Sequence, residues 1–81
     1  MSYNGWANRE TWNVWLWISN DEDLYYEMRD YVKSTPTPDY MGLMDYLGYG
    51  PGDETPDGVE WVSDALDYDE LDAAVADEQN S

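Results

Sequence analysis

The uneven distribution of charge constrains this chain more than any other feature of its sequence. Residues 41–81 contain twelve acidic side chains and no basic one, whereas residues 1–40 contain seven acids and all three bases, Arg9, Arg29 and Lys33. The net charge is −16 for 81 residues. Because like charges repel one another in a compact state, this excess works against folding. The presence of so many acids therefore calls for a reason outside folding.

The aromatic content predicts that the chain folds despite its charge. Five Trp and eight Tyr are present, and 42% of the residues are hydrophobic, whereas disordered acidic segments contain few aromatics. The length fits one domain. We expect a single helical domain over residues 1–76, followed by a frayed acidic tail at residues 77–81.

Several function classes are disfavoured by residues that the chain lacks. It has no Cys and no His, which excludes thiolate zinc sites, imidazole ligands and the usual nucleophile–histidine pairs. Carboxylate pairs could serve as acid and base, but so short a chain is not expected to enclose a substrate cleft. We predict a protein that is not an enzyme and has no cofactor or metal.

The charge and the hydropathy also bear on location and direct ligands. A strongly negative chain is not expected to bind nucleic acid or anionic membranes directly, because both require Lys and Arg. No apolar run is long enough to span a bilayer and no secretory signal pattern is present. The expected location is the cytoplasm.

Helix signals predict an all-α fold, a compact bundle of four or five short helices. Asn8 is expected to cap the first helix, although Val14, Leu16 and Ile18 in its Trp-rich run also fit a strand. Asn20 is expected to cap the second. This second helix carries an apolar stripe of Leu24, Met28, Tyr31 and Val32.

The second half predicts further short helices around a loop. Thr37 and Pro38 are expected to open a third helix that ends at Gly48. A Pro- and Gly-rich loop follows around residues 48–58. The spacing of Val59, Val62 and Leu66 then predicts a short amphipathic helix. Asp67 is expected to cap the last helix, with Glu70 in the capping-box position.

A partial calcium-loop pattern lies in this half. Asp53, Thr55, Asp57, Gly58 and Asp64 follow the spacing of an EF-hand loop. However, Thr occupies the third position, and Asp stands where a bidentate Glu is usual. The pattern is a weak indication of calcium binding, and condensation of loose cations on an acidic surface is the simpler expectation.

The opening of the chain resembles a family of small acidic proteins found in phages, prophages and other mobile elements. The residues that carry the resemblance run from Tyr3 to Trp12 and match Y-N-G-W-[TA]-N-x-E-T-W, followed by Leu16-Trp17 and Asn20-Asp21-Glu22. A second element, Asp67-Tyr68-Asp69-Glu70-Leu71, is similar to the family's D-W-x-E-[IL], with Tyr in place of Trp. The resemblance implies a small helical protein of a mobile element, with no assigned reaction and no catalytic residues.

The acidic array suggests a function as a DNA mimic. A rigid helical face of carboxylates approximates a strand of phosphates in sign and spacing. We expect an anti-CRISPR or anti-restriction inhibitor whose partner is a host DNA-binding or RNA-guided defence protein with a basic cleft. The residues expected to form the acidic face are Glu60, Asp64, Asp67, Asp69, Glu70, Asp72 and Asp77, with Asp45, Asp53, Glu54 and Asp57 as a second group.

Two alternatives remain open from the sequence. The first is a protein-binding module that works through exposed aromatics such as Trp61, Tyr49 and Trp17, in contact with a partner or a second copy in a homodimer. Against it, aromatics at helical spacing usually fill a core. The second is a domain adapted to high salt that has no specific partner.

Overall fold

The computed structural model describes residues 3–80, which form four helices and no extended strand. The helices are α1 (Arg9–Asn20), α2 (Glu22–Ser34), α3 (Tyr40–Leu47) and α4 (Tyr68–Glu78). Helix α2 packs against the other three, and α3 also packs against α4. The predicted all-α bundle is therefore confirmed, and α2 lies at its centre.

The start of the chain is built as the sequence predicts. Asn4 and Gly5 both have positive φ and form a turn that brings Tyr3 and Trp6 together. The side chain of Asn8 then accepts a hydrogen bond of 2.9 Å from the backbone N of Thr11 and caps α1. The Trp-rich run is helical, so the strand alternative is wrong for this segment.

The caps of α2 and α3 each lie one or two residues later than predicted. Asp21, not Asn20, caps α2, while Asn20 ends α1 and donates to the carbonyl of Leu16. Asp39, not Thr37, caps α3 by accepting a 2.7 Å hydrogen bond from the backbone N of Gly42. In both places an Asp one or two residues after the expected cap provides the carboxylate oxygen that the first turn needs.

The core lies among the four helices and is closed by part of the connection between α3 and α4. The predicted stripe of α2 is confirmed, with Met28, Tyr31 and Val32 buried and Leu24 half-buried. Helix α1 contributes Val14 and Ile18, while its Trp side chains are only half-buried. The remaining buried hydrophobic side chains are Tyr40, Leu43, Met44, Val59, Trp61, Leu66, Leu71 and Val75.

The helix predicted at Val59 to Leu66 is not formed, and a short hairpin occupies residues 53–61 instead. Thr55 N donates to Val59 O at 2.7 Å, and Trp61 N donates to Asp53 O at 2.9 Å. The Thr-Pro-Asp-Gly turn at residues 55–58 reverses the chain, with Gly58 at φ 84°. Val59 and Trp61 are buried and Glu60 is exposed, which is the two-residue period of an extended chain. The helical spacing of Val59, Val62 and Leu66 therefore predicted the wrong structure for this segment.

The end of the described chain is attached to the bundle. Asp67 caps α4 as predicted, accepting from the backbone N of Glu70. The helix does not stop at the predicted domain boundary of residue 76 but continues to Glu78. Gln79 Nε2 donates to the carbonyls of Val32 and Thr35. The predicted tail at 77–81 is thus in contact with α2 through residue 79, and residue 81 lies outside the described residues. None of the four helices has the length and apolarity needed to cross a membrane.

Candidate functional site

An open groove of about 810 Å³ lies between α2 and the connection that joins α3 to α4. Its lining consists of aromatic, acidic and small apolar side chains and includes no basic residue. We call this feature the acidic groove. The residues that line it are Trp17, Asp21, Asp23, Leu24, Tyr26, Glu27, Tyr49, Glu54, Pro56 and Trp61.

Stacked rings form one side of the acidic groove. The rings of Tyr49 and Trp61 lie 4.8 Å apart and almost parallel, at 8°. Trp61 is held in the core, because its carbonyl accepts a 2.6 Å hydrogen bond from the buried hydroxyl of Tyr40. Burial and the neighbouring Tyr68 raise the pKa of Tyr40, so this hydroxyl stays a donor. The hydrogen bond from Tyr40 therefore fixes the position of Trp61, and Trp61 in turn packs against the ring of Tyr49.

Carboxylates from two separate parts of the chain meet at the groove. Asp21, Asp23 and Glu27 come from the start of α2, and Glu54 comes from the hairpin. Partial burial raises the pKa of the Tyr49 hydroxyl, and the negative charges of Glu27, Asp21 and Asp53 raise it further. The groove is thus a site of concentrated negative potential beside aromatic rings.

Asp57 ties the hairpin to α1 beside the groove. Its Oδ2 accepts hydrogen bonds from Asn13 Nδ2 at 2.8 Å and from Trp17 Nε1 at 3.0 Å. These two bonds lower the pKa of the Asp57 carboxyl, and the charge of Arg9 lowers it slightly more. The carboxylate fixes the indole of Trp17 in its place on the groove wall, so its observed role is structural.

Several of the predicted acidic-face residues are likewise used inside the fold. Asp67 caps α4, and Glu70 accepts a 2.7 Å hydrogen bond from the backbone N of Ala7, not from the cap as a capping box requires. Asp72 accepts from the backbone N of Tyr40 at 2.9 Å. Asp53 accepts from the backbone N of Gly50 at 2.8 Å. These carboxylates compensate backbone donors at helix starts and turns.

The other predicted acidic-face residues lie on the surface without forming helical stripes. They are exposed and consist of Asp45, Glu54, Glu60, Asp64, Asp69 and Asp77. The stripe expected from Glu60 to Asp67 is absent because that segment is not helical. On α4, alanines 73 and 76 share the exposed surface with Asp69 and Asp77. The six residues come from four parts of the chain, namely α3, the hairpin, the segment before α4 and α4 itself.

All three predicted aromatic contacts line the acidic groove, but they differ in exposure. Trp61 is only 2% exposed and belongs to the core, so its prediction as an exposed contact is wrong. Trp17 and Tyr49 are half-buried, and both line the groove. Tyr26, which the sequence analysis did not single out, is the most exposed of the groove's rings at 60%.

Three of the oxygen-bearing side chains of the calcium-like pattern, those of Asp53, Thr55 and Asp57, form hydrogen bonds within the fold. The hydroxyl of Thr55 is buried and donates to Asn13, and the carboxylate of Asp57 accepts from two α1 side chains. Within residues 3–80, no group of three or more acidic side chains is arranged to hold a metal ion. The hydrogen bonds of Thr55 and Asp57 therefore give these two residues a structural role in holding the hairpin to α1.

The acids on α2 are not among the predicted site residues, because the predicted acidic face is confined to the half of the chain that has no base. The start of a helix, where the helix dipole favours acids, explains Asp21 and Asp23 in the sequence, and Glu27 has no predicted role. A signal was available, since Tyr26 and Glu27 lie opposite the buried stripe of α2 and the Pro-Asp-Gly turn predicts a hairpin. The meeting of these two segments depends on tertiary packing and has no local signal.

Comparison with known proteins gives one family and no characterised relative. No curated protein and no solved structure matches the chain. The family model matches residues 1–81, the entire sequence. The chain belongs to a family of unknown function, DUF7249.

Proposed function

We propose that this protein is a non-enzymatic inhibitor that mimics nucleic acid and occupies a basic, nucleic-acid-binding surface of a partner protein. The partner class that fits the resemblance to mobile-element proteins is a host defence complex, of the restriction or RNA-guided type. The protein would act in the host cytoplasm. It would neither cut nor bind nucleic acid itself.

The observation that carries the proposal is the uncompensated acidic surface. None of the nineteen carboxylates is buried, and thirteen of these side chains are exposed. With three basic side chains in the chain, at least sixteen carboxylates have no internal cation to neutralise them. A surface of this kind attracts a basic partner over distance and speeds its association.

The mechanism is competition, in which carboxylates take the place of phosphates against Lys and Arg. The part of the expected helical stripe that lies before α4, at Glu60, Asp64 and Asp67, is not available for this purpose, because that segment is not helical. The exposed Glu54 of the hairpin and the exposed Asp23 and Glu27 of α2 are a better supported contact surface, because they line one groove. Of the acidic-face residues predicted from the sequence, five have side chains that make no hydrogen bond within residues 3–80: Asp45, Glu54, Glu60, Asp64 and Asp69. The last four lie in the hairpin or between it and the first turn of α4.

A competition assay tests the proposal. A fluorescent DNA duplex is bound to a purified restriction complex or to a purified RNA-guided nuclease, and the protein is added. We expect displacement of the DNA that weakens as salt rises from about 0.05 to 0.5 M, because screening shortens the range of electrostatic attraction. A variant with Glu54, Glu60, Asp64 and Asp69 changed to Lys is expected to lose displacement.

The matched control changes the same four residues to Asn or Gln and should retain an intermediate effect. Displacement by the Lys variant at the wild-type level would contradict the proposal. The proposal would also be wrong if the wild-type protein displaced DNA from neither the restriction complex nor the RNA-guided nuclease. Circular dichroism of each variant establishes that the helices are intact.

The aromatic-mediated binding module is a second candidate, supported by the half-buried Trp17 and Tyr49 on the groove wall. It differs in its response to salt and to substitution. Binding through rings alone should change little with ionic strength and should survive the four Lys substitutions. The same competition assay therefore separates the two functions.

A further inference from the structure

We propose that the acidic groove receives an arginine side chain from a basic segment of a partner protein. This inference deepens the proposed function and rests on it in one respect, that the partner is basic. It assigns the contact between this protein and its partner to the acidic groove instead of to the whole acidic surface.

The composition of the groove argues for a cation. Four carboxylates line it, from Asp21, Asp23, Glu27 and Glu54, and no basic side chain is present among the lining residues. The Asp21 carboxylate also caps α2 through Leu24 N, whereas the carboxylates of Asp23, Glu27 and Glu54 accept no hydrogen bond within the described residues. A cationic side chain placed here would gain charge-assisted hydrogen bonds with carboxylates that the fold itself does not use.

The rings argue for arginine over lysine. A guanidinium is planar and weakly hydrated, so it stacks on aromatic faces while its N–H groups bond to carboxylates. Tyr26 and Tyr49 present rings on the groove, and Tyr49 is backed by the parallel ring of Trp61. A lysine ammonium can satisfy the charge but loses the stacking, because it is compact and strongly hydrated.

The shape of the site argues for a side chain on a peptide segment. The groove holds about 810 Å³ and is open to solvent, so the backbone that carries the arginine can lie along the surface. The wall is held in position by the bonds of Asp57 to Asn13 and Trp17. A pre-formed wall of this kind reduces the entropy that binding costs.

The test uses two capped peptides, tetra-arginine and tetra-lysine, which have equal charge. Binding is followed by the fluorescence of the Trp residues, two of which line the groove, and by amide chemical shifts. We expect tetra-arginine to bind about tenfold more tightly than tetra-lysine at 0.15 M salt, from stacking and bidentate bonds. The largest shifts are expected at Glu27, Tyr49 and Glu54.

Two double variants locate the site. Tyr26→Ala with Glu27→Gln removes one ring and one charge at the groove, and Tyr46→Ala with Asp45→Asn removes the same groups from exposed positions on α3 that do not line it. We expect the groove variant to lose about tenfold in tetra-arginine affinity and the α3 variant to change less than about twofold. Equal losses in both variants, or equal affinity for the two peptides, would overturn the inference.

The outcome is separable from that of the proposed function. If tetra-arginine binds the groove but the protein displaces DNA from no complex, the groove is a cation site and the mimicry proposal is wrong. If DNA is displaced and the groove variant displaces it equally well, mimicry stands and the groove assignment is wrong.

Discussion

The hydroxyl of Thr55 donates a 2.7 Å hydrogen bond to Oδ1 of Asn13, and both side chains are buried where the hairpin meets α1. The same oxygen of Thr55 accepts from the backbone N of Asp57 and of Val59. The Thr55 hydroxyl thus bonds to the side-chain amide of Asn13 in α1 and to two backbone N–H groups of the hairpin. The hairpin is held to the bundle by polar bonds as well as by Val59 and Trp61.

Substitution of Thr55 by Val tests this connection, because the shape is kept and the hydroxyl is lost. The change leaves buried polar groups without their partner, which costs about 1–3 kcal/mol of the free energy of unfolding. Urea denaturation measures the loss. The control is Thr37→Val at an exposed position, which should change stability by less than about 0.5 kcal/mol. A similar result for the two variants would show that the buried hydroxyl has no special role.

The stability of the protein should depend on pH through Asp57. Hydrogen bonds from Asn13 and Trp17 lower the pKa of this carboxyl in the folded state. A lowered folded pKa means that the carboxylate stabilises the fold above its unfolded pKa of about 3.9, and that this contribution is lost as pH falls through the folded value. Asp57→Asn should therefore differ from the wild type most at neutral pH and progressively less below about pH 4.

Urea titrations of both proteins at a series of pH values measure that difference. A difference in unfolding free energy that stays constant from pH 7 to pH 2.5 would contradict the assignment. Carbon NMR of the Asp57 carboxyl gives an independent reading, with a titration midpoint below the ordinary value of about 3.9.

Gly42 lies inside α3, where an alanine would ordinarily stabilise the helix by up to about 1 kcal/mol. Here a Cβ would overlap the hydroxyl oxygen of Tyr31 and would stand 2.8 Å from Oδ1 of Asp39. Because Tyr31 is buried and the carboxylate of Asp39 caps the helix, we expect Gly42→Ala to destabilise the protein by about 1–3 kcal/mol. Tyr31→Phe removes the closest atom, so the double variant should recover part of the loss. Additive effects in this cycle would exclude the contact as the cause.

The parts of the fold that could be predicted are those with local signals. The stripe of α2 has helical spacing, Gly48 ends α3 in a left-handed conformation, and Asp67 provides a cap oxygen for α4. Asn20 and Asp21 could each cap a helix, so the sequence alone does not predict which of the two caps α2. Tertiary packing determines it. These features are set within a few residues of one another, so a pattern reveals them.

The groove could not be predicted because it joins distant segments. The spacing of Val59 and Trp61 fits an extended chain, and the spacing of Val59 and Val62 fits a helix equally well. Only packing against α1 and α3 decides which of the two structures this segment adopts. Once the hairpin forms, it carries Glu54 to the same groove as Glu27, although the two residues are far apart in sequence. The charge distribution drew attention to the acids of residues 41–81 but did not indicate which acids meet at the groove.

Trp61 is the residue at which the core and the groove depend on each other. It is 2% exposed, its ring stacks on Tyr49, and its carbonyl accepts from the buried Tyr40 hydroxyl. Trp61→Ala should therefore lower the unfolding free energy by about 3–5 kcal/mol, through lost burial and the cavity that remains. Tyr26→Ala, at an exposed ring of the same groove, should cost less than about 0.5 kcal/mol. Thermal and urea unfolding measure both, and a Trp61→Ala protein as stable as the Tyr26→Ala protein would show that Trp61 is a surface contact residue after all.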